Sequence, residues 1–191
     1  APITLPTRAP YILVVHPSFP VKTIGDIVTI AKARPGELHF ASSGNGATSH
    51  LAGEMLKLMA KINMVHVPYK GVAPAIIDVI AGQIEMQFID VSVVVGHIKN
   101  GKVRAVAWAG GRRGPAFPGV PTVAESGFPG FDVTGWYGIL GAAGTPKDVV
   151  ARLNGAIVKV LSQTDTRERF DAIGAIPVTS TPDEFAAYLG A

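Results

Sequence analysis

The sequence has no cysteine, which excludes disulfides, thiolate chemistry and cysteine-based zinc sites. It also has no apolar run long enough to cross a bilayer, because Tyr11–Val15 and Val91–Val95 have the length of a strand or a short helix. Charged residues are few, at 16%, while hydrophobic residues make up 48%, a balance that argues against disorder. The 191 residues are enough for one medium domain or two small ones.

Basic residues show no clustering that would favour nucleic acid. The net charge is +3, the excess is scattered, and aromatic residues do not alternate with basic ones, so nucleic-acid binding is not expected. A mild positive bias does suit anionic ligands. Ala1–Pro10 lacks the basic start and the apolar core of a secretory signal peptide, as a mature or trimmed chain would.

Hydrophobic periodicity predicts strands that alternate with helices through the first part of the chain. The predicted strands are Tyr11–Val15, Leu38–Ala41, Met64–Val67, Glu85–Ile89 and Val103–Trp108. This alternation is typical of a mainly parallel sheet with helices on both faces. Ala1–Pro10, with three prolines, is predicted as coil, and Gly110–Gly130 as an ordered loop or a domain junction.

The rest of the chain predicts several helices and few strands. Thr181 and Glu184 have the spacing of a capping box, as Thr23 and Asp26 do near the start. Trp136–Leu140 and Ile176–Val178 have strand character but are too few to form a sheet by themselves. We therefore interpret this region as part of a second domain.

One turn stands out because it follows a predicted strand and opens a helix. It consists of Ser42, Ser43, Gly44, Asn45, Gly46, Ala47 and Thr48. The glycines allow positive φ, the hydroxyls donate hydrogen bonds, and the helix N-terminus adds partial positive charge. A carboxylate or a phosphate suits this turn, although an ordinary capped turn explains the same residues. It is neither a Walker loop nor a Rossmann fingerprint.

Two more segments lie where predicted strands end. Tyr69, Lys70 and Gly71 offer a hydroxyl, a cation and a tight helix start, while Asp90 either caps the next helix or binds a ligand donor. Taken singly, a packed tyrosine, a solvated lysine and a capping aspartate are the simpler interpretations. Ligands in open α/β sheets bind beyond the carboxyl ends of the strands, so the segments together favour a binding cleft.

No arrangement of residues indicates catalysis. His50 follows Ser49, but no Gly-x-Ser-x-Gly elbow surrounds them, and we interpret His50 as a packed or exposed histidine. The histidines occur singly, without metal-ligand spacing. The sequence therefore predicts no catalytic residues, no metal site and no cofactor.

The order of the motifs resembles the Bug family, the periplasmic solute receptors of tripartite tricarboxylate transporters. The resemblance covers essentially the whole chain. The motifs that carry it include Ala41-Ser-Ser-Gly-Asn-Gly46, Ser49-His-Leu-Ala-Gly-Glu54, Val67-Pro-Tyr-Lys-Gly71, Ala81-Gly-Gln-Ile-Glu-Met-Gln-Phe88, Val120-Pro-Thr-Val-Ala-Glu-Ser-Gly127 and Thr181-Pro-Asp-Glu-Phe185.

This resemblance implies an α/β fold of the periplasmic-binding-protein type (type II), a two-lobed clamp that closes on a small organic anion. Residues 1–131 would form the second lobe, which is complete, and residues 132–191 the C-terminal part of a partial first lobe. The strand and Pro-Gly-Gly loop that open the first lobe in the family have no match here. Only the second jaw matches, namely the Ser42–Thr48 turn with Tyr69, Lys70, Gly71 and Asp90.

The resemblance also implies a non-enzymatic, periplasmic role. The expected ligand is a mono- or dicarboxylate, amino and aromatic acids included, and the expected partners are membrane transporter subunits. Two alternatives stay open: an α/β enzyme that binds a phosphorylated ligand at the Ser42–Thr48 turn, and a fragment that has lost ligand binding. Because helices of Thr145–Ala191 would lack the sheet they cover, exposed apolar surface and association between copies are also expected.

Overall fold

The computed structural model describes residues 1–190. Its strands are β1 (Pro2–Val15), β2 (His39–Ser42), β3 (Val65–Pro68), β4 (Met86–Asp90), β5 (Arg104–Trp108), β6 (Thr134–Leu140) and β7 (Ile176–Pro177). Its helices are α1 (Ile24–Ala33), α2 (Thr48–Ala60), α3 (Val72–Ile80), α4 (Val91–Lys99), α5 (Lys147–Leu161), α6 (Thr164–Ala172) and α7 (Pro182–Leu189). Within residues 1–190, none of these helices combines the length and hydropathy needed to cross a membrane.

The chain divides into two compact units. One is Pro10–Thr134, and the other combines Ala1–Ala9 with the residues from Gly135 onward. The expected division at residue 131 lies close to this boundary, but residues 1–9 fall in the other unit. A second expectation is also corrected, because Pro2–Pro10 of the segment predicted as coil belong to β1. Proline is tolerated in a strand where the ladder needs no N–H, and the Pro6 carbonyl accepts from Val178 N at 3.1 Å.

The Pro10–Thr134 unit contains a sheet with the strand order β3-β2-β4-β1-β5. β2 is parallel to β3 and β4, whereas β1 is antiparallel to both β4 and β5. The expectation of a mainly parallel sheet is therefore corrected to a mixed one, in which four strands share a direction and β1 runs against them. Hydrophobic periodicity could not show the direction of β1. This strand pairs with β4 and β5, which are far along the chain, and not with β2, to which α1 connects it.

Alternate residues of β1 feed two apolar cores. Leu13 and Val15 belong to a core covered by α1 and α2, and Ile12 and Val14 belong to one covered by α3 and α4. The alternation follows from the period of two in a strand. Both faces of this sheet are thus closed by helices.

The buried face of α2 differs from the predicted one. The sequence predicts an apolar face from the helical spacing of Leu51, Met55, Leu58, Met59 and Ile62. Leu51 and Leu58 are nevertheless 55% and 78% exposed, whereas Ala52, Gly53 and Leu56 are buried. Small residues bring α2 close to β2, since a Cβ added to Gly53 would lie 2.1 Å from the Phe40 ring. Close approach, and not the longest apolar stripe, decides which face packs.

The unit that contains residues 1–9 and the chain from Gly135 leaves much apolar surface uncovered, as the sequence predicted. The strand residues Trp136, Ile139 and Leu140 are exposed, and α5 buries only Leu161 fully. β1 pairs here with β6 and β7. Apolar groups exposed on a strand and a helix together indicate a surface that is normally covered.

Candidate anion-binding site

The loop between β2 and α2 places an uncapped helix start at the end of β2. The N-cap of α2 is Ala47, with extended φ −67° and ψ 156° and no side-chain cap. The first intrahelical bond is from Leu51 N to Ala47 O, at 3.0 Å. The N–H groups of the first turn, at Thr48, Ser49 and His50, therefore have no partner inside the helix. Such groups form a binding site for an anion.

The loop is held in shape by its own hydroxyl groups. The Ser42 hydroxyl accepts from Gly44 N at 3.1 Å, and the Ser49 hydroxyl accepts from Ser43 N at 3.1 Å. Ser42 and Ser49 are buried, and Gly44 and Gly46 have φ of +139° and +77°. The two buried hydroxyls thus build the loop, and the residues exposed at its tip are Asn45 and Gly46.

Two histidines support the loop from inside. Gly46 N donates to His50 Nδ1 at 3.0 Å, and His66 Nε2 lies 2.6 Å from Ser42 Oγ. The two imidazole rings stack with centroids 3.9 Å apart. Burial, and then the neighbouring His50, lower the pKa of His66. Sequence analysis missed this pair, because the two residues belong to separate motifs and give no spacing signal.

The Ser42–His66 contact is not a catalytic pair. A nucleophile and its base need a hydrogen bond of this kind, but the nucleophile must also reach a substrate. Ser42 is 0% exposed, and its hydroxyl is also bonded to Gly44. Its contacts fit a structural role. In residues 1–190, no group of three or more histidine, aspartate or glutamate side chains is placed to hold a metal ion.

The segment after β3 lies beside the same loop. Tyr69 N donates to Ser42 O at 3.0 Å, and Gly71 N donates to Ser43 O at 3.1 Å. Gly71 is the N-cap of α3, with φ +119° and no side-chain cap. The Tyr69 hydroxyl donates to Asp78 Oδ2 at 2.5 Å, and burial together with Asp78 raises its pKa to about 12. The structure therefore places Lys70, an exposed cation, at the edge of the loop while the Tyr69 hydroxyl bonds to α3.

Asp90 lies beside Tyr11, a residue that sequence analysis did not include in the site. Asp90 is the N-cap of α4 and accepts from Ser92 N at 2.8 Å. Tyr11 lies opposite Asp90 in the antiparallel ladder of β1 and β4. Burial, and then the Asp90 carboxylate, raise the pKa of Tyr11, while a hydrogen bond with the Thr48 hydroxyl opposes that shift. Tyr11 could have been placed at the site only with the knowledge that β1 runs antiparallel to β4.

All of the predicted site residues thus lie where β2, β3 and β4 end, and three helices begin there. The site offers helix N-termini, neutral hydroxyls and an exposed lysine, which can hold an anion but carry out no evident chemistry. An α/β fold with such a site is compatible with a protein that binds a small anionic solute. The chain matches the model of the tripartite tricarboxylate transporter family receptor over residues 1–188, and it belongs to this family.

Known proteins of this kind are similar along nearly the whole chain. Protein BugT of Bordetella pertussis is 34% identical over 98% of this chain and 58% of its own length. The solved structure of the periplasmic binding protein BugD has a TM-score of 0.92 at 32% identity, with 99% of this chain and 64% of BugD covered. The matched family is a family of receptors, and BugD is a periplasmic binding protein.

Two solved relatives were determined with organic acids. Rpa4515 of R. palustris, solved with adipate, has a TM-score of 0.95 at 30% identity over 99% of this chain and 63% of that protein. MatC of Rhodopseudomonas palustris, solved with bound malate, has a TM-score of 0.84 at 32% identity over 92% of this chain and 60% of that protein. The present chain thus spans about three fifths of these relatives.

Proposed function

We propose that this chain is the ligand-binding part of an extracytoplasmic receptor that captures a small organic carboxylate in the periplasm and delivers it to a tripartite tricarboxylate-type membrane transporter. The observation that carries the proposal is the uncapped first turn of α2 at the carboxyl end of the sheet. The Pro10–Thr134 unit corresponds to the second lobe of the clamp, and the other unit to part of the first.

The ligand site consists of the Ser42–Thr48 loop, Tyr69–Gly71 and Asp90. The N–H groups at the start of α2 take the carboxylate oxygens, because N–H groups that lack intrahelical partners favour an anion. Lys70 adds a cation at the rim, where its long side chain stays solvated until the ligand arrives. Asp90 faces the part of the ligand that bears a hydroxyl, an amine or a bound water, since a second carboxylate beside it would be repelled.

The relatives support a small dicarboxylate as the ligand class. Rpa4515 was solved with adipate and MatC with malate. BugD is described as a periplasmic binding protein, which supports the same compartment for this chain.

The test is a titration of the isotope-labelled chain with malate or adipate, followed by the backbone amide resonances. We expect the amides of Thr48, Ser49 and His50 to shift at millimolar ligand, because part of a clamp provides fewer contacts than a closed one. The neutral diamides at matched ionic strength should leave these resonances in place. A panel of carboxylates that moves no amide of the Ser42–Thr48 loop would refute the proposal.

A variant at the loop tip tests the location of the site. Gly46→Val places a side chain at the loop tip and should abolish the malate response. Because Gly46 has φ +77°, the substitution also strains the backbone. Gly101→Val is the matched control, since Gly101 has φ +68° and open space around it but lies in the turn before β5. Equal malate responses in both variants would place the ligand elsewhere.

We also propose that copies of this chain associate through the apolar surface of β6 and α5. Leu140, Leu153 and Val160 are 59%, 43% and 51% exposed there, and hydrophobic burial favours covering them. Light scattering should show species larger than the monomer, and replacing these three residues by lysine should reduce them. A monodisperse, protease-resistant monomer of the unaltered chain would contradict this association.

A further inference from the structure

The stacked histidines below the Ser42–Thr48 loop have a role that packing alone does not require. His50 lies in the first turn of α2, and His66 lies in β3. His50 holds the loop through Gly46, and His66 holds it through Ser42, with donor–acceptor distances of 3.0 Å and 2.6 Å. Each ring therefore fixes one end of the loop that carries the proposed ligand site.

The Gly46 contact fixes the protonation state of His50. A backbone N–H can only donate, so His50 Nδ1 must carry a lone pair and the ring proton of the neutral form must be on Nε2. If His50 takes up a second proton, Nδ1 becomes a donor and faces the Gly46 N–H without an acceptor between them. The hydrogen bond is then lost.

His66 behaves differently. Its Nε2 contacts the Ser42 hydroxyl, which can accept from a protonated ring as well as donate to a neutral one. Proton uptake by His66 therefore leaves its loop contact intact. Of the two rings, only His50 makes a loop contact that depends on being neutral.

The charges around the pair are few. Glu54 Oε1 lies 4.0 Å from His50 Nε2 and is also paired with Lys57 Nζ at 2.7 Å. His50 also lies at the N-terminal end of α2, and its ring centroid is 3.9 Å from that of His66. On β2, the apolar Phe40 ring stacks on His66 with centroids 5.1 Å apart.

We propose that His50 is a positioning residue of the anion site, and that the Ser42–Thr48 loop keeps its carboxylate-binding geometry only while His50 Nδ1 is unprotonated and accepts from Gly46. This inference rests on the proposed function for its ligand. The expected effect of acidification on anion affinity is the opposite of the usual one. Added positive charge near an anion site normally strengthens anion binding, whereas here acidification weakens it because the loop loses its support.

The first experiment needs no ligand. The ring nitrogens of His50 and the amide of Gly46 are followed by NMR in the isotope-labelled chain between about pH 8 and pH 6, around the usual titration range of imidazole. We expect the Gly46 amide to shift with the same midpoint as the His50 ring and to exchange faster with solvent once the ring is charged. The Gly101 amide is a control and should show no such shift, and His97→Asn, in the last turn of α4, should leave the coupling between His50 and Gly46 unchanged. A Gly46 amide that stays unchanged while His50 becomes protonated overturns the inference.

The second experiment adds malate over the same pH range, in which malate remains largely ionised. Malate affinity should fall as the pH is lowered. His50→Leu, which removes the acceptor, should weaken binding about two- to tenfold at every pH. His50→Asn, whose side-chain oxygen takes the place of Nδ1, should recover part of that loss and remove the pH dependence. A merely structural histidine would give equal losses in both variants and no change in the pH profile, which would contradict the positioning role.

The two experiments separate the two proposals. If no amide of the loop responds to malate at any pH while the Gly46 amide follows His50, the receptor proposal fails and the loop-positioning role is supported. If malate binds and its affinity rises on acidification, the receptor proposal is supported and the His50 inference is refuted.

Discussion

Helices in this molecule begin in two different ways. α1 and α7 begin with complete capping boxes, in which Thr23 pairs with Asp26 and Thr181 pairs with Glu184. α2 and α3 begin at Ala47 and Gly71, neither of which supplies a side-chain oxygen. A cap of this kind contributes about 1 kcal/mol. α2 and α3 therefore lack a stabilising group that α1 and α7 possess. Among the remaining helices, α4 is capped by the Asp90 side chain, whereas α5 and α6 also begin without a side-chain cap.

The third helical position sharpens the contrast. In α1 and α7 this position holds Asp26 or Glu184, whose carboxylate reaches back to the N–H of the N-cap residue. In α2 it holds His50, whose Nδ1 reaches back to Gly46 instead. An imidazole there supports the loop without adding a negative charge that would repel an anion. The composition of this turn fits ligand binding better than it fits helix stability.

The strongest test of this contrast converts one kind of helix start into the other. Ala47→Asp places a carboxylate at the N-cap of α2, where the backbone is already extended. We expect malate binding to be lost, because the new carboxylate occupies the N–H groups, and the free energy of unfolding to rise by about 1 kcal/mol. Amide shifts on malate titration and urea denaturation measure the two effects.

The neutral variant Ala47→Asn separates capping from charge repulsion, since it caps without a negative charge and should weaken malate less than Ala47→Asp. Unchanged malate binding in Ala47→Asp would mean that the start of α2 is not the ligand site.

Much of this contrast could be predicted from sequence, because capping is local. Thr23 with Asp26, and Thr181 with Glu184, gave the starts of α1 and α7, and the turn at Ser42–Thr48 gave the start of α2. The parts that could not be predicted depend on contacts between distant segments. Tyr11 reaches Asp90 only because β1 inserts antiparallel to β4, and no local pattern indicates that direction.

The stacking of His50 on His66 was missed for a related reason. It requires α2 to lie close to β2 and β3, and that approach depends on the glycine at position 53, not on the apolar stripe that sequence analysis used. Leu51 and Leu58 dominated the predicted face, yet both are exposed.

The close packing of α2 can be tested next. Gly53→Ala would bring a Cβ within 2.1 Å of the Phe40 ring, which is buried and stacked on His66. We expect a loss of about 1–3 kcal/mol in the free energy of unfolding, as is usual for overpacking a core. The same change should displace the His50 and His66 ring resonances.

The matched control is Gly96→Ala in α4, because Gly96 is also inside a helix but has open space at its Cβ position. That substitution should stabilise the chain by about 0.5–1 kcal/mol, as alanine is the better helix former. A destabilisation as large as that of Gly53→Ala would show that tight contact with Phe40 is not what keeps a glycine in α2.

A smaller effect is expected when the capping boxes are removed. Thr23→Ala and Thr181→Ala each delete the side-chain oxygen that accepts from the third helical residue, at 3.1 Å in both helices. Each should lower the free energy of unfolding by about 1 kcal/mol and leave the malate response unchanged. Hydrogen exchange of α1 and α7 measures the loss locally, and a changed malate response in Thr23→Ala would break the distinction between the two kinds of helix start.

The smallest effect is the acid dependence of the capping carboxylates. The pKa of Asp26 lies below its ordinary value of 3.8, mainly because the carboxylate accepts a hydrogen bond from the Lys22 backbone N–H. The pKa of Glu184 lies below its ordinary value of 4.5, mainly because the carboxylate accepts from the Thr181 backbone N–H. A carboxylate with a lowered pKa in the folded state stabilises the fold above its unfolded pKa, and that contribution is lost as the pH falls through the folded value. Asp26→Asn and Glu184→Gln should therefore reduce the acid sensitivity of α1 and α7 below these pH values.

The start of α2 has no such carboxylate, so its hydrogen exchange should instead change near neutral pH, where imidazole titrates. If α1, α2 and α7 all loosened over the same pH range, the contrast between carboxylate and histidine at the third position would have no physical consequence.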